Sequence, residues 1–216
     1  MANTLAQQLA APSPRDRGPI LPDFTQGIAA LPRGAISEIL GTTSTGRTAF
    51  AQNALVTATL GGEISAWIDC TDSFDPASAE SAGADLGKML WVQCGHRLEV
   101  ALKAADMVLH SGGFGLIVLD LCGVSASVLQ RVPLSYWYRI RNAVEHTPSV
   151  LLVLGRDSIA RACASRQFDL KKSGLEWRGL PPFQTMVRLE VNAASRKPMS
   201  TTSSSFEILA TVSEAD

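Results

Sequence analysis

The sequence predicts an α/β fold: a mostly parallel central sheet flanked by helices, with an antiparallel extension at its C-terminal end. Three observations lead there. Short apolar runs bounded by turn residues recur along residues 35–155, as central strands covered on both faces require. Helix-like segments alternate with them, which makes the sheet parallel through crossover connections. After about residue 164 the pattern changes to apolar–polar alternation, the mark of half-exposed antiparallel strands.

In order, the predicted strands are "AISEIL" (35–40), "ISAWID" (64–69), "MLWVQ" (89–93), "GLIVLDL" (115–121) and "SVLLVLG" (149–155). Helices are predicted over 48–60, 76–84, 98–111 and 134–146. In the last, Trp137, Ile140 and Val144 form one apolar stripe at helical spacing. The late strands are "RQFDLKK" (166–172), "TMVRLEV" (185–191) and "SFEILATV" (205–212). Their connections, "SGLEWRGLPPFQ" and "NAASRKPMSTTSS", read as loops.

A chain of 216 residues, 46% hydrophobic, suits one domain with a buried core. No apolar run is long enough to span a bilayer, and the first residues lack the pattern of a secretory signal. Residues 1–24 are expected to form a loose arm, helical at 4–11, residues 25–212 the core, and 213–216 a tail. Cys70, Cys94, Cys122 and Cys163 form no C-x-x-C pair and read as buried thiols of a reducing cytoplasm. His96, His110 and His146 lack metal-ligand spacing.

Charge is unevenly distributed. Residues 1–130 carry 7 Lys and Arg against 12 Asp and Glu, whereas residues 131–197 carry 12 against 5. The basic half suits either a solvated rim or an acidic partner, nucleic acid included. Candidates for phosphate contact are Arg156, Arg161, Arg166, Lys171 and Lys172. No basic stretch interleaved with aromatics is present, so a base-stacking platform is not indicated.

"GTTSTGRT", residues 41–48, has the spacing G-x-x-x-x-G-K-[ST] of a phosphate-binding loop, with Arg47 at the lysine position. It follows a predicted strand and opens a predicted helix, the context that directs backbone N–H groups onto phosphate oxygens. Gly41 and Gly46 would permit the turn, and Thr42, Thr43, Ser44 and Thr45 would supply its backbone. Thr48 would offer a hydroxyl to Mg²⁺, and Asp120, ending an apolar strand, would hold the same ion through water. Arginine keeps the charge of lysine but is planar and bulkier, so the exchange is not conservative at a shaped site.

The order of these features resembles the RecA family over residues 25–212: strand, phosphate loop, helix, strand, Asp75 followed by Pro76, helix, and the strand ending in Asp120. The resemblance implies a RecA-like P-loop NTPase core. It also implies a catalytic glutamate just after the second strand, where this sequence has Thr71. With both lysine and glutamate replaced, little or no ATPase activity is expected, no catalytic residue is assigned, and no cofactor is required, with ATP and Mg²⁺ bound weakly at most. The segments 155–165 and 121–134, which correspond to the DNA-binding loops of the family, are short, and no polymerisation helix is evident. A monomer or weak oligomer is therefore expected.

A short core with an eroded site, preceded by "LPRGAISEI", is most similar to the ImuA group, also described as SulA-related. That resemblance implies a cytoplasmic accessory of damage-induced mutagenesis and translesion synthesis. Its implied partners are an ImuB-like polymerase homologue, RecA or an error-prone replicative-type polymerase, with direct DNA contact as a further expectation. Two other readings stand beside it. One is an active DNA-dependent ATPase of the recombinase class, with Asp72 or a neighbouring subunit's residue positioning water. The other is a SulA-like division inhibitor that acts only by protein binding, for which Trp91, Tyr136, Trp137, Tyr138 and Trp177 are candidate anchors. A helix cannot bury all of residues 136–138 on one stripe, so one of the two tyrosines is expected to be exposed.

Overall fold

The computed structural model describes residues 20, 30–178, 185–195 and 203–209, with side chains described up to residue 172. Most of the expected arm, its helix at 4–11, and the tail lie outside the described residues. Ile20 is buried and exchanges backbone hydrogen bonds with Leu31.

The chain forms β1 (Ala35–Gly41), α1 (Arg47–Leu60), β2 (Ile64–Asp69), α2 (Pro76–Ser81), β3 (Met89–Gln93), α3 (Leu98–Ser111) and β4 (Phe114–Asp120). It continues through α4 (Ala126–Leu129), α5 (Leu134–Glu145), β5 (Val150–Gly155), β6 (Ala164–Arg178), β7 (Thr185–Ser195) and β8 (Ser203–Leu209). The strands make one sheet in the order β3-β2-β4-β5-β1-β6-β7-β8. The first six in that order are parallel; β7 and β8 join antiparallel. This is the expected α/β core.

The continuous apolar runs are explained by two cores, one on each face of the sheet. In β4, Leu116 and Val118 pack on the α1 side, and Ile117 and Leu119 pack under α3 and α5. Strand side chains alternate between faces, so a strand covered on both must be apolar throughout. Trp137, Ile140 and Val144 are the buried stripe of α5. Tyr136 is half-buried, its hydroxyl donating to the Leu102 carbonyl, and Tyr138 is exposed.

Four sequence expectations need correction. Residues 164–170 of β6 pair in parallel with β1, not antiparallel, and Gln167, Phe168 and Leu170 are buried. The reason is the open edge of β1, whose buried Glu38 needs donors that Gln167 and the preceding turn supply. The expected loop at 173–184 is strand as far as Arg178, and the expected loop at 192–204 is strand at both ends. Antiparallel pairing of β6 with β7 carries these polar stretches into the sheet, where backbone hydrogen bonding overrides composition. Finally, α2 ends at Ser81 rather than at 84, because Gly83 adopts φ 101°.

Candidate phosphate-binding site

All the elements that matter meet at the C-terminal edge of the parallel strands, where open α/β sheets place ligands. Strand β1 ends at Gly41, and the chain turns through residues 42–46 into α1. Two backbone features fix the turn. Gly46 sits at φ 86° as the N-cap of α1. At Gly41, φ 155°, a Cβ would lie 2.7 Å from the Leu170 carbonyl oxygen and 2.5 Å from Thr45 Oγ1. Only glycine lets the loop pass this close to β6. Thr45 is buried and donates its hydroxyl to the Thr42 carbonyl across 2.8 Å.

The start of α1 is left open to an anion. No side chain caps it, and its first turn carries no acidic residue. The unpaired N–H groups and the positive end of the helix dipole therefore point into the turn. Arg47 is 8% exposed, and its Nη1 is buried with no hydrogen-bond partner. A buried guanidinium nitrogen without an acceptor is costly, and a phosphate oxygen is the acceptor this loop geometry suits. Thr48 is exposed in the first turn.

Asp120 is 1% exposed at the end of β4. Its Oδ1 accepts from the Cys122 backbone N–H across 2.9 Å. Burial raises its pKa above the usual carboxylate value, and the nearby charge of Asp69 adds to that; the Cys122 hydrogen bonds and the Arg47 charge work the other way. Asp69 stands opposite Asp120 in register and accepts from the N–H groups of Thr71 and Phe74. The same burial pushes the Cys122 thiol well above its ordinary range, with Asp120 as the next cause. Thr71, at the expected glutamate position, is half-buried and abuts Gly123, where a Cβ would come within 2.6 Å of its methyl group. Asp72 is exposed at φ 53° and accepts from the Gly95 N–H.

The basic candidates divide. Lys171 and Lys172 follow Leu170, the β6 partner of Gly41, so they emerge beside the phosphate loop. With Arg156, Asp157 and Asp169 they border a cleft of about 490 Å³ whose other wall is Gly41, Thr42, Thr43 and Thr45. Arg161, at φ 50°, faces a different cavity that Arg156 also lines. Arg166 is half-buried opposite Ser37 and lines neither. The aromatic anchors divide as well. Trp137 is buried, Trp91 is half-buried against Phe74, and the Trp177 side chain lies outside the description.

Sequence reasoning missed Glu38. Its carboxylate, fully buried, accepts from Ser158 Oγ, the Ile159 and Ala160 N–H groups and Gln167 Nε2, at 2.7–2.8 Å. The signal was present: an acid in the middle of "AISEIL" is anomalous unless it is paired.

Comparison with known proteins agrees with this architecture. The sequence profile of the RecA N-terminal domain matches residues 13–131. "Protein RecA" of Mycobacteroides abscessus is 41% identical over 103 residues, covering 48% of this chain and 30% of that protein. "Protein RecA" of Leifsonia xyli subsp. xyli is 41% identical over 103 residues, covering 48% and 29%. That of Borrelia hermsii is 38% identical over 103 residues, with the same coverage of 48% and 29%. The chain thus matches less than a third of the length of each of these relatives.

Proposed function

Because the chain belongs to the RecA N-terminal domain family, we propose that it is a RecA-like accessory of the bacterial DNA-damage response. In this reading it is cytoplasmic and ImuA-like, serves translesion synthesis, and hydrolyses little or no ATP. No helix among the described residues is long and apolar enough to cross a membrane.

The observation that carries the reading is the state of Arg47. Its guanidinium is drawn inward, close enough to Asp120 for its charge to oppose the rise that burial imposes on that group's pKa, and its Nη1 is unpartnered. The loop N–H groups and Arg47 would hold the phosphates, and Thr48 and Asp120 the Mg²⁺. Bound ATP would supply the phosphoryl group. Positioning of the γ-phosphate and of water is what the site lacks, with arginine for lysine and Thr71 for glutamate. Lys171, Lys172 and Arg156 form the surface proposed for DNA phosphates, and the partners proposed are an ImuB-like polymerase homologue, RecA or an error-prone replicative-type polymerase.

A second reading, an active DNA-dependent ATPase, has in its favour the 41% identity to a protein named RecA. One experiment separates the two. ATP binding and turnover are measured with and without single-stranded DNA for the wild type, Arg47→Lys and Asp120→Ala. The accessory reading expects weak binding and no Mg²⁺-dependent turnover in the wild type. Turnover that is abolished by Asp120→Ala would establish the ATPase instead.

A further inference from the structure

The cleft beside the phosphate loop is bordered by three separate stretches of chain: the loop after β1, Arg156 and Asp157 after β5, and Asp169 to Lys172 in β6. One buried side chain joins the elements that carry all three. Glu38 stands in β1 just before the loop, opposite Val153 of β5 and Gln167 of β6. Its Oε1 accepts from the Ile159 and Ala160 N–H groups at 2.8 and 2.7 Å. Its Oε2 accepts from Ser158 Oγ and Gln167 Nε2 at 2.8 and 2.7 Å. Gln167 Nε2 also reaches Ser158 Oγ and the Arg161 carbonyl, at 2.7 and 3.2 Å. The turn after β5 is therefore pinned to β1 and β6 at residues 158–161. Arg156 is exposed at the start of that turn and makes no hydrogen bond or ion pair of its own among the described residues.

We infer that Glu38 is a positioning residue for phosphate binding in this cleft: by fixing the turn after β5 it sets Arg156 beside the phosphate loop. The inference rests on the reading that Arg156 meets DNA phosphates together with Lys171 and Lys172. Those two lysines are placed by the ladder of β6. Arg156 lies beyond the end of β5, so only the turn can place it. A cation on a loose turn must be ordered when it binds, and anchoring the backbone in advance reduces that cost. An apolar side chain would fill the same place in β1 with no charge to desolvate. What a carboxylate adds is acceptors for two adjacent backbone N–H groups and two side chains at once. Charge by itself predicts the opposite effect. Glu38 is an anion near a phosphate cleft, and its removal would tighten polyanion binding if its field were what mattered.

The test measures binding of fluorescein-labelled oligodeoxythymidylate to the full chain by anisotropy across a salt series. The variants are Arg156→Ala, Glu38→Ala and Ser158→Gly, with each of the last two also combined with Arg156→Ala. Ser158→Gly loosens the turn without touching the core and decides the matter alone if Glu38→Ala does not fold. Circular dichroism establishes which variants fold, and titrations are run well below their unfolding midpoints. Arg156→Ala should weaken binding roughly fivefold at low salt and reduce the salt slope by about 0.7, one phosphate contact on a single strand. Glu38→Ala and Ser158→Gly should weaken binding in the same direction and reduce the slope. Neither should weaken it further once Arg156 is alanine, because both act through that side chain. Losses that add to that of Arg156→Ala, or unchanged or tighter binding by folded Glu38→Ala or Ser158→Gly, overturn the inference and leave the DNA reading standing. No effect of Arg156→Ala itself removes Arg156 from the DNA surface, and the inference falls with it.

Discussion

Gln167 donates its side-chain amide to the carboxylate of Glu38 across 2.7 Å, and the two residues face each other in the neighbouring parallel strands β6 and β1. The same carboxylate accepts from the backbone of Ile159 and Ala160, so one buried acid ties the turn after β5 to the centre of the sheet. Glu38→Ala strands those donors without an acceptor and should cost roughly 3 kcal/mol or more. That is a fall of about 6–12 °C in Tm for a domain of this size. Glu38→Gln keeps an acceptor oxygen and should cost less, about 1–2 kcal/mol. Calorimetry of the two variants checks the order.

Gly41→Ala places a methyl group 2.7 Å from the Leu170 carbonyl oxygen, a contact with backbone that cannot simply rotate away. Expected is a loss of roughly 2–4 kcal/mol and a displaced phosphate loop. Urea unfolding gives the first. Protection of the first amides of α1 from hydrogen exchange, compared with the wild type, reports the second.

Asp120 contributes a pH dependence of definite sign. Its folded pKa is raised, chiefly by burial. Below the unfolded value of 3.8 both states are protonated and its contribution is whole. As the pH rises through the folded pKa, the folded state must ionise a buried group, and stability falls. Asp120→Asn removes that penalty while leaving an oxygen for the Cys122 N–H. The variant should be the more stable protein at pH 7, with the advantage shrinking as pH falls toward 3.8. Denaturant titrations across this range would show a constant difference if the folded pKa of Asp120 were not raised.

Lys171 and Lys172 border the cleft beside the phosphate loop. Charge reversal of both, Lys171→Glu with Lys172→Glu, should weaken binding of oligodeoxythymidylate about tenfold at low salt. The slope of log affinity against log salt should shrink by roughly 1.4, two phosphate contacts on a single strand. Fluorescence anisotropy across a salt series reads both. An unchanged slope would place the DNA contacts elsewhere.

Much of this molecule was legible in its sequence because local chemistry decided it. The continuous apolar runs of β4 and β5 are what burial on two faces requires. The stripe of Trp137, Ile140 and Val144 is what one buried helix face requires. Residues 41–48 announced a tight turn and the start of a helix, since glycine spacing controls backbone conformation directly. Tertiary structure decided what depends on partners distant in the chain. The parallel pairing of β6 with β1 is set by an open sheet edge and by the buried acid at position 38, which no window of adjacent residues contains. Registering Leu170 with Gly41 carries Lys171 and Lys172 to the phosphate loop, while Arg161 and Arg166, equally basic in sequence, go elsewhere. Charge is written in the sequence, but which charges share a cleft is a matter of strand register, and register is fixed only when the sheet closes.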